Sequence, residues 1–424
     1  MTMVSQQLSN QQEVGQPFWL EAAKLFGSPV YVYDEGKLAS DYFSLRDALP
    51  KDVTLYYSMK VNPNPEVCRL INGWGSPIEV ASVGEYEIAR SSGVHPHSIV
   101  FTGPGKSADE IHHVLRHGIY AINAESIPEL FVIHDEAVAL GMSAPVMLRV
   151  NLSTGAKGSR MSSVGLASQF GIDDSEIHEA VQTAINLAGV ELIGLHTYQG
   201  TQNFHLDFYR ESVPMMFALT RQVRSQFGLQ LRCLGLGGGF GVPMFEGDEP
   251  FPVEAFGAYL AEELERNRDL ELEMVFVESG RRIAATMGIY AVRVLYTKLS
   301  KGKAFAIVDG GTHHRAFSSL MGRSFKQPLP LQLWKAGERK LYESGEGEGR
   351  ISYNVCGKLC TPTDVLQGSV MLPPLEPGDW IAFPHVGAYG LTCGNVHFLS
   401  HALPKEVILR PDGTLNDVSW LSNK

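Results

Sequence analysis

The chain has 424 residues, 44% of them hydrophobic and 19% charged, and 46 acidic against 35 basic side chains leave a formal charge of −11. That apolar share is enough to bury a large core and excludes a wholly disordered chain, while the acidic balance argues against nucleic acid or anionic membrane as a partner. Five cysteines, few and odd in number, exclude a disulfide framework and point to reduced thiols.

Residues 1–16 are polar and lack the basic and apolar stretches of a secretory signal, so they read as a flexible tail of a cytoplasmic protein. No apolar run approaches the roughly 18 residues of a membrane span. The early run PVYVYD (29–34) reads as a strand that joins the C-terminal part of the chain. Eight short β-type runs follow: TLYYS (54–58), PIEVAS (77–82), SIVFT (98–102), YAIN (120–123), VMLRV (146–150), ELIGLH (191–196), LRCLGL (231–236) and EMVFVE (273–278). Stretches with helical spacing lie between them, such as VGEYEIARSSG and ADEIHHVLRHG. Short, continuously apolar runs suit parallel strands buried on both faces. Eight such units predict an α/β fold, a (β/α)8 TIM barrel over 36–282. A doubly wound open sheet is the alternative, and the count of eight favours the barrel. From 283 to 424 helical patterns thin out and runs such as AFAIVDGG and DWIAFPHV stand between Gly, Pro and Asp turns. That predicts a mainly antiparallel β domain, completed by 17–35. ESGEGEGR (343–350) reads as an exposed loop.

In a parallel barrel the chemistry gathers just after the C-terminal ends of the strands. There the sequence places Lys60, then Glu79 within the second run, Arg149 on the fifth, His196 and Tyr198 after the sixth, Gly237-Gly238-Gly239 after the seventh, and Glu278 followed by Gly280 and Arg281 after the eighth. A lone lysine is usually a solvated surface residue, but one that follows YYSM at a barrel mouth can act as an amine nucleophile. Consecutive glycines can form a phosphate nest, although GLGGGFG fails the dinucleotide fingerprint because Phe240 stands where the last glycine belongs. Glu278 needs a cation or a proton: either a protonated pyridine nitrogen or a salt bridge to Arg149. The histidine pairs His112-His113 and His313-His314 and the pair Cys356-x3-Cys360 do not have zinc-site spacing, so no metal is expected. The two cysteines read as strand residues on either side of Gly357.

Lysine, glycine nest and carboxylate are what a pyridoxal phosphate site requires. In their order YYSMKVN, EVASVGE, RVN, HTYQGTQ, LGGGFG, ESGR, LCTPTD and GAYG, over about residues 25–410, the chain resembles the fold-type III pyridoxal-phosphate decarboxylases, the group of diaminopimelate and ornithine decarboxylase with an alanine racemase-like fold. The resemblance implies pyridoxal 5'-phosphate as cofactor and Lys60 as the Schiff-base lysine. It implies a phosphate site of Thr201, Gly237, Gly238, Gly239, Gly280 and Arg281, with Tyr389 reaching the phosphate. Glu278 matches the partner of the ring nitrogen, and Glu79 and Arg149 match residues beside the ring. Tyr198 stands where the family stacks a histidine. Cys360 matches the acid that protonates the substrate carbon, with Asp364 as its active-site neighbour. In the family that cysteine comes from the second subunit of a head-to-tail homodimer.

The departures bear on substrate. Diaminopimelate decarboxylases hold the far ammonium with a glutamate after the reactive cysteine, and here it is Thr361. They grip the far carboxylate with an arginine, and here Phe317 stands there. Arg281, Phe317, Cys360, Thr361 and Asp364 are therefore the expected substrate contacts, around a neutral far end. The motifs HxYxGTQN, VDGG-x-HH and LCTPxD are similar to those of butirosin-type glutamyl–carrier-protein decarboxylases of antibiotic biosynthesis, and LCTPxDV with FLSH-x-x-P to those of siderophore-pathway decarboxylases. An α-decarboxylase acting on a carrier-tethered or amide-linked amino acid is the expected function. The alternatives are diaminopimelate decarboxylase itself, an amino-acid racemase, which would need two bases, and a non-catalytic regulator, which intact Lys60 and Cys360 disfavour.

Overall fold

A computed structural model describes residues 16–153, 168–198, 200–245, 247–315 and 329–421. It divides into two compact units, one made of Asp41–Pro243 and Glu249–Ile283, the other of the residues up to Ser40, Met244–Asp248 and Ala284 onward.

The first unit holds strands β2 (Val53–Ser58), β3 (Ile78–Val80), β4 (Ile99–Phe101), β5 (Ala121–Ala124), β6 (Ala144–Asn151), β7 (Ile172–Asp173), β8 (Val190–Thr197), β9 (Cys233–Gly238) and β10 (Met274–Ser279); β1 (Val30–Asp34) lies in the other unit. Every pairing is parallel; β2 to β6 and β8 to β10 each pair with the next, β6 with β8, and β10 returns to β2, so eight strands close into a barrel with β7 added at the end of β6. The strands are apolar throughout because one face meets the surrounding helices and the other fills the barrel. Tyr56, Val100, Ala121, Met147, Ile193, Cys233 and Phe276, from seven different strands, form one buried cluster that plugs it. Serines start several of the helices. The Oγ of Ser82 accepts from the Glu85 N–H at 3.1 Å, Ser126 does the same for Glu129 at 3.3 Å, and Ser107 with Glu110 closes a reciprocal capping box.

The barrel's strand bounds differ from the sequence reading by one or two residues, and at two strand ends the difference bears on the site. The second run ends at Val80, because Ser82 is drawn off as a helix cap. The seventh runs on to Gly238, so two of the three glycines belong to the strand and not to a turn after it. Glycine permits this: a Cβ on Gly238 would collide with the Glu278 carbonyl of the neighbouring strand. The short β7, paired with the end of β6, has too few residues to leave a periodic signal.

In the second unit β1 lies between β11 (Gly288–Ser300), to which it runs antiparallel, and β18 (Lys405–Leu409), to which it runs parallel. The remaining strands are β12 (Lys303–Val308), β13 (Gln332–Lys335), β14 (Lys340–Glu343), β15 (Ile351–Cys356), β16 (Val365–Leu372), β17 (Trp380–Pro384) and β19 (Leu415–Asp417). Their pairings are antiparallel except β1–β18 and β12–β15. The helix Phe18–Phe26 buries Trp19, Leu20, Ala22 and Ala23 against Val30, Val32, Ala291 and Val407. The loop expected at 343–350 begins one residue later, since Glu343 ends β14, and Arg350 folds back onto the Glu343 carbonyl at 2.6 Å. Cys356 ends β15, whereas Cys360 lies in the exposed loop beyond it, so the two are not both strand residues. The tail before residue 16 and Phe317 lie outside the described residues.

Candidate active site

Lys60 occupies the single helical turn Met59–Val61 directly after β2. The Tyr57 hydroxyl donates to the Asn62 carbonyl at 3.0 Å and ties that turn down. Gly280 backs it closely, since a Cβ there would meet the Val61 side chain and stand 2.9 Å from the Ser58 carbonyl. Register sets the next contact. Ser58 pairs with Glu79 on β3, which brings the Lys60 Nζ to 3.1 Å from Glu79 Oε1. Glu79 is buried, and its Oε2 has no hydrogen-bond partner among the described residues.

Tyr198 follows β8 and stands between two cations, with Lys60 Nζ at 5.4 Å and the Arg149 guanidinium at 5.9 Å from its ring centroid. Arg149 is itself held by Glu125, whose Oε1 accepts from Nη1 at 2.6 Å, and by the ring of Phe170 at 5.0 Å. Glu125, at the end of β5, is a site residue to which sequence reasoning gave no role. The sequence shows only an acid after a strand, and its partner is 24 residues away.

Glu278 ends β10 and is buried. Of its two alternative partners, the salt bridge to Arg149 is not formed, because Glu125 takes that arginine. Instead the His196 Nε2–H donates to both carboxylate oxygens, at 3.0 and 3.1 Å. Burial pushes the Glu278 carboxyl up, but His196, then Lys60 and Arg149, outweigh it and hold the group below the usual carboxylate range. Gly235 makes room for this pair, since a Cβ there would stand 2.6 Å from the imidazole. A depressed native pKa means the carboxylate's contribution to stability is complete above the ordinary value of 4.5 and is lost progressively as pH falls from there through the lower native value. Melting temperatures of wild type and Glu278→Gln should therefore run in parallel at neutral pH and converge as pH falls below that ordinary value. Parallel curves throughout that range would contradict the assignment.

The loops after β8 and β9 are laced together. Asn203 donates its N–H to the Gly239 carbonyl at 3.0 Å. Gln202 pairs through its side chain with both backbone groups of Val242, at 2.9 and 3.2 Å. The TQN of the β8 loop thus positions the glycines, a function no local pattern announces. Gly237 and Gly239 have φ of 65° and 90°, and side chains there would strike the Thr197 and Gly200 carbonyls. Thr201 lies in the same loop, and Arg281 opens the short turn after Gly280. Gly238→Ala should cost about 1–3 kcal/mol by overpacking, read as a lowered melting temperature together with weakened coenzyme retention.

Cys360, Thr361, Asp364 and Tyr389 belong to the second unit. Cys360 is exposed. The hydroxyl of Thr361 lies 3.0 Å from that of Thr363. Tyr389 is half-buried with a left-handed φ of 55°. Asp364, expected at the substrate, is instead buried and commits both oxygens to its own surroundings. Of the histidine pairs, His112 and His113 face Glu136 and Glu87. Burial lowers the pKa of His313 to about 4 and that of His314 to about 3, so both are neutral. No group of three or more metal-ligating side chains gathers among the described residues.

A barrel rim with a lysine amine, a buried anionic carboxylate and a strand end where only glycine fits is a site suited to a phosphorylated aldehyde coenzyme. Pyridoxal 5'-phosphate fits these residues: the unpartnered Glu79 oxygen, the glycine cradle and the ionised Glu278 each offer what one part of it needs. Residues 35–285 match the family described as pyridoxal-dependent decarboxylase, pyridoxal binding domain. The chain is 35% identical over 405 residues to the L-glutamyl-[BtrI acyl-carrier protein] decarboxylase of Niallia circulans, covering 93% of this chain and 94% of that one. It is 28% identical to the 2-[(L-alanin-3-ylcarbamoyl)methyl]-2-hydroxybutanedioate decarboxylase of Staphylococcus aureus, over 92% and 96% of the two chains. The crystal structure of diaminopimelate decarboxylase from Helicobacter pylori complexed with L-lysine superposes with a TM-score of 0.83 at 28% identity, over 94% of this chain and 95% of that one. The chain belongs to the pyridoxal-dependent decarboxylases and is a pyridoxal-phosphate-dependent carboxy-lyase. No helix of the described residues is long and apolar enough to cross a membrane.

Proposed function

We propose that the enzyme removes the α-carboxylate of an amino acid whose far end is neutral, a carrier-bound thioester or an amide, as in an L-glutamyl group on an acyl-carrier protein. The observation that carries this reading is Thr361. Beside the exposed thiol of Cys360 stands a hydroxyl engaged with Thr363, not a carboxylate able to hold a distal ammonium. The names of the relatives with carrier-linked and amide-linked substrates support it.

When bound, the coenzyme supplies an electron sink for the pair left behind as CO2 departs. Lys60 would hold it through its amine, with Glu79 accepting from that nitrogen. Glu278, ionised and oriented by His196, would keep a proton on the ring nitrogen. Tyr198, braced by Arg149, would cover the ring and exclude water. Thr201, Gly237, Gly238, Gly239, Gly280, Arg281 and Tyr389 would bind the phosphate. Cys360 would deliver the proton to the substrate carbon. Its place in a head-to-tail homodimer, where it serves the partner's barrel, is part of this reading, as is a cytoplasmic setting for five free thiols.

The test is a CO2-release screen of free diaminopimelate, free glutamate, an L-glutamyl thioester and a citryl amide of an amino acid. Turnover of the thioester or amide well above the free diamino acid is expected, and efficient release from free diaminopimelate would overturn the reading. Thr361→Glu should shift preference toward substrates ending in an ammonium by about tenfold or more, ~1.4 kcal/mol, measured as a ratio of kcat/KM values.

A further inference from the structure

We infer that Asp364 is a positioning residue for the Cys360 thiol and not a ligand of the substrate. The inference rests on the reading of Cys360 as the proton donor. The thiol stands exposed on the loop of residues 357–364 that joins β15 to β16. A loop of that length samples many conformations unless something fixes it, and proton delivery to one carbon tolerates little displacement.

Asp364 supplies the fixation from both sides of the cysteine. Its Oδ2 accepts from the N–H of Leu359, the residue before Cys360, at 2.8 Å. Its own N–H donates to the carbonyl of Thr361, the residue after Cys360, at 3.2 Å. Its carbonyl accepts from Gly357 at 3.0 Å, which closes the loop on itself. The other carboxylate oxygen, Oδ1, accepts from the N–H of Thr312 at 2.7 Å and from its hydroxyl at 3.0 Å, anchoring the loop to the segment after β12. Lys358 adds an N–H to the Gly310 carbonyl at 3.3 Å. The packing leaves no slack: a Cβ on Gly357 would strike Asp364 Oδ2 and Gly311, and one on Gly311 would stand 2.9 Å from Asp364 Oδ1. Asp364 is 3% exposed. A carboxylate so enclosed, with two backbone N–H groups and a hydroxyl upon it, has both oxygens engaged by the protein and is shut away from a substrate amine.

The consequence is chemical. When the thiol is misplaced, the proton goes to the coenzyme's own carbon in place of the substrate's. CO2 is still lost, water releases the substrate skeleton as an aldehyde, and the amino group stays on the coenzyme as pyridoxamine phosphate. Each misdirected turnover thus consumes one coenzyme aldehyde, and no outside oxidant is needed.

The test uses holoenzyme of wild type, Asp364→Asn, Asp364→Ala and Cys360→Ala with an L-glutamyl thioester. Three quantities are read: the ratio of aldehyde to amine, KM, and hydrogen exchange at the Leu359 amide. Both Asp364 variants and Cys360→Ala are expected to raise the ratio about tenfold or more, with KM within about twofold of wild type, and both Asp364 variants to speed Leu359 exchange about tenfold. A rise in KM of tenfold with an unchanged ratio would make Asp364 a substrate ligand and overturn the proposal. A raised ratio in Cys360→Ala but not in Asp364→Asn also overturns it. If Cys360→Ala itself leaves the ratio unchanged, or no variant turns the thioester over, it is the donor or substrate reading that fails. Leu359 exchange then decides the clamp alone: faster exchange in Asp364→Asn supports it, unchanged exchange refutes it. Thr312→Val, which removes only the hydroxyl bond, replaces Asp364→Ala if that chain does not fold.

Discussion

A Lys60→Ala chain is expected to lose at least about 10^4 of its turnover, some 5 kcal/mol of transition-state stabilisation, because it lacks the amine that holds the coenzyme. The loss has a signature separate from rate. Borohydride reduction of wild type should fix one coenzyme on Lys60, visible as a mass increase on the peptide that carries it, and the visible absorption of the lysine-bound coenzyme should be absent from the variant. The neighbouring geometry predicts a graded companion. Glu79→Gln removes the anion 3.1 Å from Nζ without removing the amine, so trapping should persist while turnover falls. A Lys60→Ala protein that traps coenzyme as wild type does would remove the basis of the whole assignment.

The second large effect concerns the two chains. Lys60 belongs to the barrel unit and Cys360 to the β unit. If each thiol serves the barrel of a second copy, Lys60→Ala and Cys360→Ala each form little amine product alone, yet a mixture regains amine formation. Random exchange makes half the dimers hybrid, and each hybrid holds one intact site of two, so about a quarter of wild-type activity should return. Activity that stays at the level of the separate variants after dissociation and reassociation would place both residues' work in one chain, or show that no such dimer forms.

How far these residues could be read in advance depended on the range of the interactions that define them. The eight strands were legible because a parallel barrel strand is apolar on both faces, which leaves a local signal. The YYSMK strand-to-turn junction is local for the same reason. Lys60 and Glu278 stood out because charged groups at the ends of apolar strands need an explanation. The pairing of those charges was not legible. Arg149 read as one of two alternative partners of Glu278, but the register of β5 against β6 gives it to Glu125, and the registers of β8 with β9 and of β9 with β10 bring His196 to Glu278. Gly237 and Gly238 read as a phosphate nest beyond the end of the seventh strand. Only the approach of the Thr197 and Glu278 carbonyls shows why strand residues there must lack a side chain. Asp364 looked like an active-site acid until its oxygens were found on Thr312, 52 residues away in the chain, and on Leu359.

By itself, then, the order of residues determined the barrel, the β domain that follows it, the amine at position 60 and the coenzyme class, because periodicity and residue type at strand ends are short-range properties. Which charge neutralises which, which glycines are structural and which carboxylate holds a loop and not a ligand were decided only in three dimensions. Those outcomes turn on which groups strand register and close packing bring within about 3 Å of each other, because a hydrogen bond weakens steeply beyond that distance.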